Sequence, residues 1–171
     1  MHGAIRLWIV IGSVFAATWS FGACKRTSEP SREEKRPAET SSSAVVPVTV
    51  AALCVDTINH YRATLGLPAY ARWADGEACA NGQARSDAAS GTPHGAFGQC
   101  TESAQNECPG WNDTPASVIS ACMDAAWAEG PGTDFGRHGH YNNMSSTAYT
   151  KVACGFFTTA GGQVWSVQNF K

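Results

Sequence analysis

Val50 to Leu65 reads VAALCVDTINHYRATL, and Lys151 to Phe170 reads KVACGFFTTAGGQVWSVQNF. The first stretch sets Val50, Cys54, Ile58, Tyr61 and Leu65 at spacings of four and three, which is one face of an amphipathic helix. Gly66 stops that helix and Pro68 blocks its continuation. The second stretch has a different character. Two runs of strand formers flank the pair Gly161-Gly162, which predicts a β-hairpin. Helices first and a hairpin last predict an α+β layered domain.

Between these ends the chain predicts two further helices. One runs from about Asp75 to Ala89, is rich in Ala and is closed by Gly91-Thr92-Pro93. In the other, Thr114 caps, Pro115 fits the first helical position, and Val118, Ile119, Cys122, Met123 and Trp127 form the buried stripe. Gly130-Pro131-Gly132 ends it. Gly91 to Asn112 reads as loop, pinned by Cys100 and Cys108.

The chain of 171 residues divides into three parts. Residues 1–23 read as an export signal: Arg6 supplies a positive start, and Leu7 to Ala23 is apolar, too short for a membrane span, and ends in small residues. Phe21-Gly22-Ala23-Cys24 resembles a bacterial lipobox, with Phe21 where Leu is usual, so Cys24 is the expected lipidation site and first mature residue. Residues 24–47 read as that lipidated Cys and a disordered, solvated linker, because Ser, Pro, Glu, Lys and Arg cannot bury enough surface to offset ordering. Residues 48–171 are the folded domain. The expected location is outside the cytoplasm, as a lipoprotein held at the outer membrane or cell surface by its lipid, or otherwise secreted; Lys25, which is not Asp, points by resemblance to the outer membrane.

Six more cysteines, Cys54, Cys79, Cys100, Cys108, Cys122 and Cys154, make an even count, which in an exported domain implies three disulfides. No C-x-x-C pair is present to suggest a zinc-thiolate site, and the pairing is left open among 15 connectivities. A net charge of −2 gives no nucleic-acid footprint, and the domain is read as a monomer. His94 after a Gly-Thr-Pro turn, His138 and His140 in a Gly-rich loop, and Glu129 at a helix end are the residues that converge if the chain has a metal or binding cleft. Two imidazoles and a carboxylate suit zinc or another divalent cation. The nucleophile and phosphate-loop motifs G-x-S-x-G, H-E-x-x-H and G-x-x-x-x-G-K are absent.

The order of these landmarks resembles the CAP domain, the superfamily of cysteine-rich secretory proteins, antigen 5-type venom allergens and plant pathogenesis-related proteins. Asn59-x-x-Arg62 with Gly66, Leu67 and Trp73 is similar to the family's opening. His94, Ala104-Gln105-Asn106 at the Gly-Glu-Asn element, Trp127-Ala128-Glu129, His140-Tyr141-Asn142-Asn143, Val152-Ala153-Cys154-Gly155 and a closing hairpin follow in order. The resemblance implies a three-layer α-β-α sandwich and a central cleft of two His and two acidic residues. Carried over, these are His94, Glu129 and His140, with Gln105 where the family has Glu. Glu107 stands two residues on, and a bulge in this segment would put only one of Gln105 and Glu107 in the cleft.

Two functions follow from the resemblance. The first is a binding module whose cleft takes a divalent metal, a small lipid or other ligand, or a protein partner. The second is a metal-dependent hydrolase of peptide or ester bonds, with a metal-bound water and Glu129 or Glu107 as base.

Overall fold

The structure, a computed structural model, describes residues 48–171; the export signal, Cys24 and the linker to residue 47 lie outside the described residues. The chain order is α1 (Val50–Thr64), β1 (Ala71–Arg72), α2 (Ala74–Ser90), β2 (Ala104–Trp111), α3 (Pro115–Ala128), α4 (Phe135–Ser145), β3 (Lys151–Thr158) and β4 (Val164–Phe170). The four strands form one sheet in the order β1-β3-β4-β2. β3 and β4 make the expected antiparallel hairpin, β2 runs antiparallel to β4, and β1 pairs in parallel with β3.

Strand alternation sends side chains to two cores. Val152, Cys154, Val164 and Phe170 meet α1 and α3 on one face, together with Ile58, Ile119 and Met123. Trp165 and Val167 meet Ala80 and Ala84 of α2 on the other. The result is the expected α+β sandwich of three layers, with α2 on one side and α1, α3 and α4 on the other. α2 can come this close because its inner face is Ala and Gly and because β3 carries Gly155 there. A Cβ on Gly155 would lie 2.1 Å from the Ala80 carbonyl carbon.

The predicted helices lie within a residue or two of their expected bounds. Thr114 caps α3, accepting from Ser117 N, and Pro115 opens it. The stripe on α1 needs a correction. Leu65 lies just beyond the helix and is 50% exposed, whereas Arg62 is buried. Three other elements were not legible. Residues 91–112 were expected as loop, yet Ala104–Trp111 is a strand. Its sequence, AQNECPGW, has few strand formers; β4 pairing and the Cys108–Cys122 disulfide hold it extended. The His138–His140 loop is instead α4, started by Asp134 Oδ1 accepting from Gly136 N and hidden by its two glycines. β1 is only two residues long.

All six cysteines pair as expected, and the pairing is now defined. Cys54–Cys154 ties α1 to β3, Cys79–Cys100 ties α2 to the loop after it, and Cys108–Cys122 ties β2 to α3.

Asn59 and Arg62 have a structural task. Asn59 and the Tyr70 backbone exchange two hydrogen bonds, Nδ2 to Tyr70 O at 2.9 Å and Tyr70 N to Oδ1 at 2.7 Å. Arg62 lies with its guanidinium carbon 3.5 Å from the centre of the Tyr70 ring. It donates to Pro68 O at 2.8 Å, Met144 O at 2.7 Å and Ser146 O at 2.8 Å. The last two acceptors are the C-terminal end of α4, where helix carbonyls lack partners of their own and favour a cation. Replacing Arg62 with Ala leaves these carbonyls unmet and is expected to lower stability by about 3 kcal/mol in urea denaturation. Arg62→Lys restores only part, because one ammonium cannot serve three acceptors in divergent directions. A loss under about 1 kcal/mol in Arg62→Ala shows that the tie does not matter.

Candidate functional site

His94 stands in the α2–β2 loop with a left-handed backbone, φ 60°. That strained conformation is held by buried carboxylates that accept backbone N–H groups. Glu107 Oε2 accepts from His94 N. Asp87 Oδ1 accepts from Ala96 N at 2.8 Å. Glu102 accepts from Gly98 N at 2.6 Å and from Cys100 N at 2.8 Å.

Gln105 and Glu107 both point toward His94, which corrects the expectation that a bulge would separate them. The β2–β4 register is unbroken from Ala104 to Cys108, so residues two apart share a face, and the irregularity falls between Cys108 and Trp111. Gln105 Oε1 accepts from His94 Nδ1 at 2.8 Å. Its Nε2 donates to Asn169 Oδ1 at 3.0 Å and to Gln83 Oε1 at 3.2 Å. A carboxylate would turn an oxygen toward two amide oxygens here, so an amide is the side chain this network accepts. Glu107 is closed off from solvent, with Oε2 3.8 Å from His94 Nδ1.

His140 comes from the other side of β2, on α4. Its Nδ1 lies 2.5 Å from Glu129 Oε1, and Glu129 Oε2 accepts from His140 N at 3.0 Å and Tyr141 N at 3.3 Å. Asn106, on the opposite face of β2 from Gln105, donates to His140 O at 3.1 Å and accepts from Asn143 Nδ2 at 2.9 Å. The His-x-x-Asn element therefore ties α4 to β2. His138 turns away: its Nδ1 donates to Glu129 O at 2.8 Å and Gly130 O at 3.0 Å, joining α4 to the end of α3. His60 is exposed on α1.

His94, Gln105 and His140 line one cavity of about 570 Å³, whose apolar wall is Phe97, Phe135 and Tyr149. Phe97 and Phe135 are 49% and 65% exposed, an unusual placement for Phe. Glu107, Glu129 and His140 line a neighbouring cavity of about 190 Å³. The expected convergence thus occurs in part: the two imidazoles share a cavity, while each carboxylate supports the histidine behind it. Among the described residues, no three His, Cys, Asp or Glu side chains come together as a metal-ligand group. The sequence reading missed the three aromatic residues, since Phe97, Phe135 and Tyr149 belong to no apolar period or motif.

Residues 55–170 match the family model described as the Cysteine-rich secretory protein family, CAP. The chain belongs to this family. No curated protein matches it. Family membership and three disulfides mark it as an extracellular-type protein.

Burial, and then the charge of Asp87, push the Glu107 carboxyl up to about 7, against the opposing hydrogen bond from His94 N. Asp87 is raised too, by burial. Asp87 Oδ2 and Glu107 Oε1 have no hydrogen-bond partner among the described residues, which makes ionisation of both unfavourable. A carboxyl raised in the fold holds its proton after the unfolded chain has lost it, so stability falls as pH rises between about 4.5 and 7. Glu107 is expected to contribute roughly 3 kcal/mol of that fall. Urea denaturation at pH 5 and pH 8 should give a smaller difference for Glu107→Gln than for the unmodified chain. An unchanged difference means that Glu107 ionises normally.

Proposed function

We propose that the protein is an exported binding module, tethered through a lipidated Cys24 and the linker to residue 47, whose cleft captures a ligand with an apolar body and a polar end. The cavity of about 570 Å³ carries this reading: it has the size and the lining of a ligand site, with apolar walls and a few convergent polar groups. Phe97, Phe135 and Tyr149 would hold the apolar body, and His94 and His140 the polar end.

A divalent cation such as zinc is a second ligand for the same residues. Gln105 and Glu129 each engage an Nδ1, the arrangement that turns Nε2 of each imidazole outward as a lone-pair donor. This donor set fits a cation held by two imidazoles and water. The hydrolytic reading has less support. A catalytic zinc has three protein ligands, whereas Glu129 is engaged by His140 and Glu107 is closed off from solvent. The chemistry a cation would supply is polarisation of a bound oxygen, with His94 and His140 positioning it.

Zinc titrated calorimetrically into the mature chain tests the histidine pair. Micromolar binding is expected, lost in His94→Ala and in His140→Ala and weakening in acid, because an imidazole must be neutral to ligate a cation. His138→Ala should bind as the unmodified chain does. No zinc binding, or equal damage from His138→Ala, overturns the assignment of this pair.

The anchor is tested separately. Cys24→Ser should release the protein from the outer-membrane fraction to the soluble one, with a mature mass lacking diacylglycerol. An unmodified mature N-terminus elsewhere in the unaltered protein overturns it.

A further inference from the structure

The Cys108–Cys122 disulfide fixes which side chains of the sheet lie beneath α3. Alternation along β2 puts Asn106 on the same face as Cys108, and the strand register sets Gln168 of β4 directly beside Asn106. Glu107, next to Asn106 in the chain, turns to the opposite face and accepts from His94 N. Over this patch α3 presents Met123 and the small Ala126, which leaves the cavity of about 190 Å³ between helix and sheet.

Gln168 is completely buried, and its backbone is paired with a strand on each side, so it borders the cavity through its side chain. Its Nε2 donates to Ser166 Oγ at 2.8 Å. Its Oε1 has only Cys108 Sγ nearby, at 3.9 Å. A disulfide sulfur carries no hydrogen, so this oxygen has no donor among the described residues. A buried amide oxygen without a donor is costly, and an occupant of the cavity is what supplies one.

Two further acceptors continue from it. Asn106 Nδ2 donates to His140 O at 3.1 Å, and its Oδ1 accepts from Asn143 Nδ2 at 2.9 Å. Glu129 Oε2 accepts from His140 N at 3.0 Å, and its Oε1 meets His140 Nδ1. Asn106 and Glu129 therefore grip the C=O and the N–H of one residue, and Gln168, Asn106 and Glu129 make one strip of oxygens. Asn106 Oδ1 and Glu129 Oε1 each keep a lone pair for a second donor.

No Lys or Arg lines this cavity. The rest of its wall includes Met123, Ala125, Ala126 and the Trp111 ring, which are apolar. Acceptors with one carboxylate, set against hydrocarbon, suit a cation that is rich in N–H donors and carries a short apolar stem. At about 30 Å³ per water, the space takes about six non-hydrogen atoms.

We propose that this cavity is a second binding site, distinct from the larger one, and that it takes a short primary alkylammonium. The ammonium donates to the strip of Gln168, Asn106 and Glu129 oxygens, and the alkyl chain lies under Met123 and Ala126. The site stands independently of what the larger cavity captures.

The probe is n-butylammonium, titrated at pH 7 into the nitrogen-15-labelled mature, oxidised chain. NMR follows the Trp111 indole N–H and the Gln168 side-chain amide. A dissociation constant of about 1 mM is expected for so small a ligand. Butan-1-ol, equal in length but uncharged, should bind about tenfold more weakly, and butyrate should not bind. Gln168→Leu keeps the volume, removes the oxygen and should weaken butylammonium about tenfold. Ala126→Leu fills the cavity and should abolish binding. Resonances of α2 and of the β3–β4 hairpin report the fold of both variants. Equal affinity for butanol and butylammonium overturns the ammonium assignment. Full binding by a natively folded Ala126→Leu chain puts the cation on the surface and overturns the site. No shift at Trp111 and Gln168 in the unmodified chain means that the cavity holds water alone, which overturns the proposal whatever the variants do.

Discussion

The buried guanidinium of Arg62 joins three separate segments of this domain. It is fixed on α1, yet its acceptors are the carbonyls of the loop that leads to β1 and of the last turn of α4. Burial pulls its basicity below the ordinary value, but no carboxylate is needed to keep it charged. The end of a helix dipole and three carbonyl oxygens do that work, with the Tyr70 ring beneath it. Since α4 carries His140, the position of one cleft histidine depends on an ion bound at the far end of its own helix.

The other cleft histidine is held differently. His94 sits in a loop with little apolar content, fastened by Asp87, Glu102 and Glu107 through backbone N–H groups and by the Cys79–Cys100 disulfide. Burying these carboxylates is costly: Asp87 and Glu107 each have an oxygen without a partner among the described residues and a proton affinity raised, first of all, by burial. In return the loop holds a residue at positive φ that would otherwise relax. The loop's geometry and the acidity of Glu107 are therefore coupled.

The two histidines are consequently not equivalent. His94 meets a neutral amide, and His140 meets a carboxylate that also collects two backbone N–H groups. The amide at residue 105 is explained by its neighbours: the oxygens of Asn169 and Gln83 both accept from its Nε2. The family's carboxylate at this position would have no such partners here. The departure from the family pattern is thus part of a satisfied polar layer between α2 and the sheet, with Gln83, Gln105 and Asn169 all buried.

Sequence alone determined the helices with a clear apolar period and a capping residue, the hairpin around Gly161-Gly162, and the oxidised state of six cysteines. Each of these is set by local chemistry: a repeat, a turn residue, a count in an exporting context. His94, Glu129 and His140 could be named in advance because their order along the chain resembled a family. What they touch could not be named. β2 is a strand only because β4 pairs with it, α4 is a helix despite two glycines because Arg62 and Asn143 hold it against its neighbours, and Arg62 is buried only because the carbonyls of a distant helix end face it. The pairing of the cysteines and the shared face of Gln105 and Glu107 likewise required the tertiary structure, since both depend on register and approach between segments far apart in the chain, and no local preference encodes either.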